Sequence, residues 1–324
     1  MIAMIIFVSS HLNNIKRSIQ IDTKSINYLY LSITLLITFF FYGLLNPLSA
    51  HHLTITLSHH HAKPGASIKT YLLSKKPLNK AYILYNKKRI PLFKHPKGFR
   101  DGKHWYFAHI GISRKAKKQK THLTYVSIDA LGVQSRVKRN LFIQENTFDK
   151  EYIKLSAKQQ RTRNNLQALI KENHEIASIL KQKPKPLKQF FSTFSWPLKG
   201  RISSTFGKFR IYNGKPSWYH SGMDIAAPTG TPIQAPSSGI VKLARNYSVH
   251  GNTLIIDHGF GIMSIFNHLH TIDVQENQVL TQGQTVGTVG STGLSTGPHL
   301  HWGLSIHNTK VDPMLWLKKR FLYL

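Results

Sequence analysis

Hydrophobic and polar positions divide the chain into four textures. The first is apolar: Tyr28–Leu45 reads YLYLSITLLITFFFYGLL, and no charged residue lies from Ser25 to Ala50. Next come short alternating runs at Leu53–Leu57, Ala81–Tyr85, Trp105–Ile112, Thr121–Ile128 and Val133–Ile143. Pro64-Gly65, Asp101-Gly102 and Leu131-Gly132 punctuate them, a pattern that predicts antiparallel strands and turns. The spacing then becomes helical. Ser156-Ala157-Lys158-Gln159 fits a capping box, and Leu166, Leu169, Ile170, Ile176, Ile179 and Leu180 form a stripe that reaches Lys181. Such a stripe reads as a packing face, and Lys183-Pro184-Lys185-Pro186 ends it as a stiff linker. From Phe194, strand-like runs at Gly239–Leu243, Asn252–Asp257, Met263–Asn267, Gln284–Val289 and His299–Ser305 alternate with glycine turns, too closely spaced for a βαβ unit.

The expected fold is therefore mainly β. An apolar leader at 1–50 precedes a basic antiparallel β domain at 51–147, and a helix and Pro/Lys linker at 148–193 follow it. A second β domain at 194–317 and a tail at 318–324 complete the chain. Its 324 residues suit about two domains, and a hydrophobic content of 41% excludes wholesale disorder.

Charge sharpens this division. The net charge is +31, of which +23 falls in residues 51–194 and only +6 in residues 195–324. So basic a chain invites a nucleic-acid reading. The apolar leader argues against it, because Lys16, Arg17 and Lys24 ahead of the run make an export signal that places the remainder outside the cytoplasm. Leu48-Ser49-Ala50 ends in a small residue that suits cleavage, whereas the length of the run suits an uncleaved inner-membrane anchor. The expected location is the periplasm or cell envelope. There the basic region meets anionic envelope polymer or a membrane surface, and nucleic acid is not an expected partner.

Chemistry concentrates in three fragments of the last domain: His220-Ser221-Gly222-Met223-Asp224, Phe266-Asn267-His268-Leu269-His270 and Gly297-Pro298-His299-Leu300-His301. The chain has no cysteine, so imidazole and carboxylate are its natural zinc ligands. Residues two apart on a strand share a face, so His299 and His301 project together, one to bind a metal and the other to work beside it. Each fragment alone is a weak signal. Together, inside one glycine-punctuated β domain, they are a strong one.

From Phe194 to Trp316 the sequence resembles the lysostaphin/LytM-type zinc metalloendopeptidases, which cut peptidoglycan peptides. The likeness runs through Pro197–Gly207, Tyr219–Pro228, Ile255–Gly259, Phe266–Leu269, Gly290–His301 and Val311–Pro313. The β domain and helix ahead of it are similar to the N-terminal regions of Gram-negative members. The resemblance implies an antiparallel β-sheet groove of the duplicated hybrid motif type, with Zn²⁺ at its floor. It implies His220, Asp224 and His301 as ligands, and His268 and His299 as the two catalytic imidazoles beside them. One of the two removes a proton from water and the other stabilises the oxyanion, in an order the sequence leaves open. Arg210 and Asn213 match a loop beside the groove, where they are candidates for substrate contact. Phe266 stands where the family usually has Tyr, and His270 makes a second H-x-H pair that reads as solvent-facing.

The implied function is an exported endopeptidase that hydrolyses cross-links of peptidoglycan stem peptides in cell-wall remodelling. The alternative is an inactive LytM-like domain that binds and activates a cell-wall amidase. Such domains usually lack one or more ligands, and here none is missing.

Overall fold

The computed structural model describes residues 53–187 and 194–317. The expected export segment at 1–50 and the tail at 318–324 lie outside the described residues. Among the described residues, no helix is long and apolar enough to cross a membrane.

The structure is mostly β. In the first part, one sheet has the strand order Thr54–Leu57, Ser67–Ser74, Lys103–Gly111, Phe93–Arg100. A second has the order His61–Ala62, Gln134–Ile143, Gln119–Asp129, Leu78–Tyr85, Lys88–Pro91. All pairs are antiparallel except His61–Ala62 with Gln134–Ile143. Ile68, Leu72, Ile83, Ile110, Leu123, Tyr125 and Leu141 are fully buried and share one core. Along Gln134–Ile143 the alternation turns Arg136 and Lys138 outward and Leu141 and Ile143 inward, which is how so basic a segment still builds a core. Ser67–Ser74 and the lysine-rich Phe93–Arg100 lie outside the runs that the alternation singled out. The first is buried at nearly every position, so it has no polar face to alternate with.

The predicted single helix is two. We label Ala157–Asn164 α1 and Leu166–Leu180 α2. Ser156 and Gln159 form the expected capping box on α1. Asn165 then leaves the helical region, and its side chain accepts from the Ala168 N–H to start α2 afresh. The predicted stripe is accordingly buried only in its second half. Ile176, Ile179 and Leu180 pack against Leu243, Ile255, Met263 and Ile265, while Leu166 and Ile170 are exposed.

The last part centres on an antiparallel sheet with the order Arg201–Ser204, Gly222–Ala226, His299–Ile306, Ile262–Leu269, Gly251–Asp257, Gly239–Tyr247, Val279–Leu280. Its inner face carries Met223, Ile225, Leu254, Ile256, Phe266, Leu300, Trp302 and Leu304, all buried in one core. Tyr71, Trp105 and Phe107 of the first sheet join this core, and Phe107 and Phe93 both contact the Phe260 ring. The other face is shared: α2 covers Leu243, Ile255, Met263 and Ile265, and the histidine-bearing positions beside them stay uncovered by α2.

Candidate metal centre and active site

The outward positions of the sheet bring the three fragments together. Asp224 lies directly opposite His301 on the neighbouring strand, and Asn267 lies opposite His301 on the other side. Gly222 makes this register possible. A Cβ there would stand 2.3 Å from the Trp302 carbonyl oxygen, so a larger residue would push the Asp224 strand away from its partner.

Asp224 Oδ1 is 2.9 Å from His220 Nε2 and 2.8 Å from His301 Nδ1, and those two nitrogens are 3.0 Å apart. His220 Nδ1 donates to the Thr205 carbonyl at 2.8 Å, which leaves Nε2 as a lone pair facing the other two atoms. Two imidazoles and a carboxylate, all buried, converge within 4.8 Å. Such a donor set fits a divalent cation better than any proton-sharing arrangement, and in a chain without thiols it matches zinc chemistry. Burial alone would oppose ionisation of Asp224, but His220 and His301 hold its carboxyl well below the usual carboxylate range.

His268 and His299 stand beside this cluster. Their ring centroids are 5.0 Å apart, and His299 Nε2 is 3.8 Å from Asp224 Oδ1. His268 Nδ1 donates to the Thr292 carbonyl and His299 Nδ1 to the Gly297 carbonyl, each at 2.8 Å. Both rings therefore keep Nε2 as the basic nitrogen. Burial, with His299 and His301 nearby, pushes His268 down to about 3, so it stays neutral through the physiological range. The His268 backbone has φ +67°, a left-handed conformation rare for a residue with a side chain. Non-glycine residues held in this way cluster at functional sites.

Arg210 lines the edge of the centre and is held by two carboxylates. It bonds Glu151 at 2.9 Å through Nε and Asp224 Oδ2 at 2.5 Å through Nη2, so it pins the carboxylate oxygen that faces away from the histidines. Asn213 sits at the tip of the hairpin formed by Phe209–Tyr212 and Lys215–Tyr219, where it bonds the Leu155 backbone and the Gln160 side chain. His270 is exposed. Phe266 lies in the core beside Trp302, on the face opposite the histidines. His258 is buried between the Ser238 carbonyl and Ser264 Oγ, a structural position.

A cavity of about 870 Å³ opens over the centre. The hairpin, with Tyr212 and Trp218, forms one wall, and Leu169, Ile176 and Leu180 of α2 form the other. Glu172 fixes α2 by accepting from Ser248 Oγ, from the Val249 and His250 N–H groups and from His250 Nδ1 at 2.7–3.0 Å. α1 ties the hairpin, through Gln160 and Asn213, to the loop that leads into His299, through Gln159 and the Ser295 carbonyl. Glu172 is not visible from sequence alone, because a carboxylate on a helix reads as solvent-facing until its partners fold against it.

Residues 218–313 match the model of peptidase family M23. The chain carries a peptidase M23 domain. All five residues of the centre lie inside that stretch. Over 129 residues the chain is 37% identical to the peptidoglycan DD-endopeptidase ShyA of Vibrio cholerae, which covers 40% of this chain and 30% of the relative. Over 115 residues it is 39% identical to the DD-carboxypeptidase/endopeptidase Mpg of Neisseria meningitidis, which covers 35% of this chain and 26% of the relative. The match thus spans less than a third of either relative. A crystal structure of a Pseudomonas aeruginosa protein assigned to peptidase M23 aligns with a TM-score of 0.56 at 25% identity, over 78% of this chain and 93% of that one. That likeness extends past the M23 domain into the β sheets before it.

Proposed function

We propose that this chain is a zinc-dependent endopeptidase of the cell envelope that hydrolyses peptide cross-links between peptidoglycan stem peptides. The observation that carries the reading is the convergence of His220, Asp224 and His301, with His268 and His299 beside them, at a groove that His220, His268 and His301 line. The relatives' names support peptidoglycan as the substrate, and the apolar leader of the sequence supports export.

His220, Asp224 and His301 would hold the cation. Bound Zn²⁺ supplies Lewis acidity, which polarises a peptide carbonyl and acidifies water. The remaining work falls to the chain's own groups. Arg210 occupies Asp224 Oδ2 and so leaves Oδ1 turned toward the two ligand imidazoles. His268 and His299 present their Nε2 atoms, with Nδ1 anchored from behind by a carbonyl in each ring, so either can accept a proton from water and return it to the leaving amine. The imidazolium formed by taking that proton lends its positive charge to the developing oxyanion before the proton passes to the amine. The walls of the groove hold the substrate extended along the central strand, and the buried floor limits competing water.

Digestion of purified cross-linked muropeptides, read by mass spectrometry with and without chelator, tests the reading. Chelator-sensitive cleavage of a cross-link peptide bond is expected, and His301→Ala should abolish it. Cleavage that persists in that variant would contradict the assigned role. The amidase-activator alternative has no missing ligand to support it. The basic region at 51–194 we assign to electrostatic docking on anionic envelope polymer, so binding of the full chain to cell-wall material should weaken steeply with salt.

A further inference from the structure

The groove is cationic in a way that the hydrolytic centre does not use. Arg163, Arg210 and Lys310 line the cavity, and no Asp or Glu lines it. Arg210 is neutralised by Glu151 and Asp224, and Arg163 lies over the Tyr212 ring. Lys310 differs from both. It sits on the short strand Thr309–Val311, directly opposite Ser305, so it shares the face of the sheet that carries His301 and Gly303. It is half-buried, and among the described residues no hydrogen bond or ion pair engages its ammonium. Burial with no acidic group to offset it lowers Lys310 to about 8. A half-buried cation without a counter-ion is unfavourable, and a ligand carboxylate in the groove would relieve it.

Its position fixes where that carboxylate belongs. From His301 to Ser305 the strand advances four residues, about 13 Å, and the lysine stem can reach back along the groove. α1 bonds Ser295, whose hydroxyl lies 3.3 Å from His299 Nδ1, and so occupies that end of the groove, which leaves the opposite end of the central strand to a long substrate.

Resting on the endopeptidase reading, we propose that Lys310 is a specificity residue that pairs with a free carboxylate on the substrate peptide, roughly two to four residues from the bond that is cut. The enzyme thereby selects cross-linked peptides that carry an unmodified acid at that position.

The test compares two muropeptide dimers, one with free carboxylates and one with them amidated, using the full chain loaded with zinc. For the wild type, amidation should lower kcat/KM on the order of tenfold or more. Lys310→Met, which keeps the apolar stem, should lose a similar factor on the free-acid dimer and show no further loss on the amidated one. Lys310→Arg should retain the preference for the free acid. Equal zinc content in all three proteins excludes a folding defect as the cause. Wild-type kcat/KM for Lys310→Met on the free-acid dimer, or an equal amidation penalty in both proteins, would overturn the proposal. A zinc-loaded wild type that cuts neither dimer would refute the endopeptidase reading itself, and the subsite with it.

Discussion

Glu172 gives the sharpest test of how the groove is built. It is 3% exposed on α2, yet it accepts four hydrogen bonds from Ser248, Val249 and His250 at 2.7–3.0 Å. Glu172→Ala would strand two backbone N–H groups in a buried setting along with the imidazole donor. Hydrogen bonds to a charged group contribute about 1.5–3 kcal/mol each, but these share one acceptor and will not add in full. A loss of roughly 3 kcal/mol is expected, with about half of that for Glu172→Gln, which keeps one oxygen but turns an amide toward donors. Burial opposes the charge on Glu172, but the His250 side chain and the two N–H groups outweigh it and hold the carboxyl below its usual range. The stabilisation is therefore full above the ordinary carboxylate range and is lost as pH falls through the lowered folded value. Urea unfolding of the two variants against wild type, at neutral and acid pH, measures this. Amide exchange at Val249 and His250 should quicken in parallel. Unchanged stability and unchanged exchange in Glu172→Ala would refute the clamp.

Two further predictions follow from the same geometry. Arg210→Gln should lower zinc affinity roughly 10–100-fold, because a group that orients a ligand is lost, and competition with a chromophoric chelator reads the change. His258, fully buried and pushed down to about 4 by burial, stays neutral in the fold while the unfolded chain protonates near 6.5. Its contribution should thus be intact above about pH 6.5 and fall by on the order of 3 kcal/mol as pH drops to about 4, where His258→Asn should lose correspondingly less in a denaturant titration across that window.

Much of this was legible in the sequence because the chemistry lies on strands. His299 and His301 had to share a face by the period of two, and the structure places them so, with Asp224 opposite His301. What the sequence left dark depends on tertiary partners. The break at Asn165 was hidden because Asn is tolerated within a helix, and only its bond to the Ala168 N–H makes it a cap. Ser67–Ser74 carries no alternation because neighbours cover both of its faces. Arg210 reads as a candidate for substrate contact, and its bond to Asp224 was not visible, because it depends on the paired strands Lys150–Ile153 and Phe209–Tyr212 setting Glu151 beside it. That pairing is parallel, between segments far apart in the chain, and no local pattern announces it.

The central claim is that one cation joins His220, Asp224 and His301, and metal content measures it most directly. Elemental analysis of the purified chain should give one zinc per molecule, and His220→Ala, Asp224→Ala and His301→Ala should each lose it while remaining folded by circular dichroism. A folded wild type that binds no zinc even at saturating metal, or a full equivalent retained in all three variants, would contradict the account.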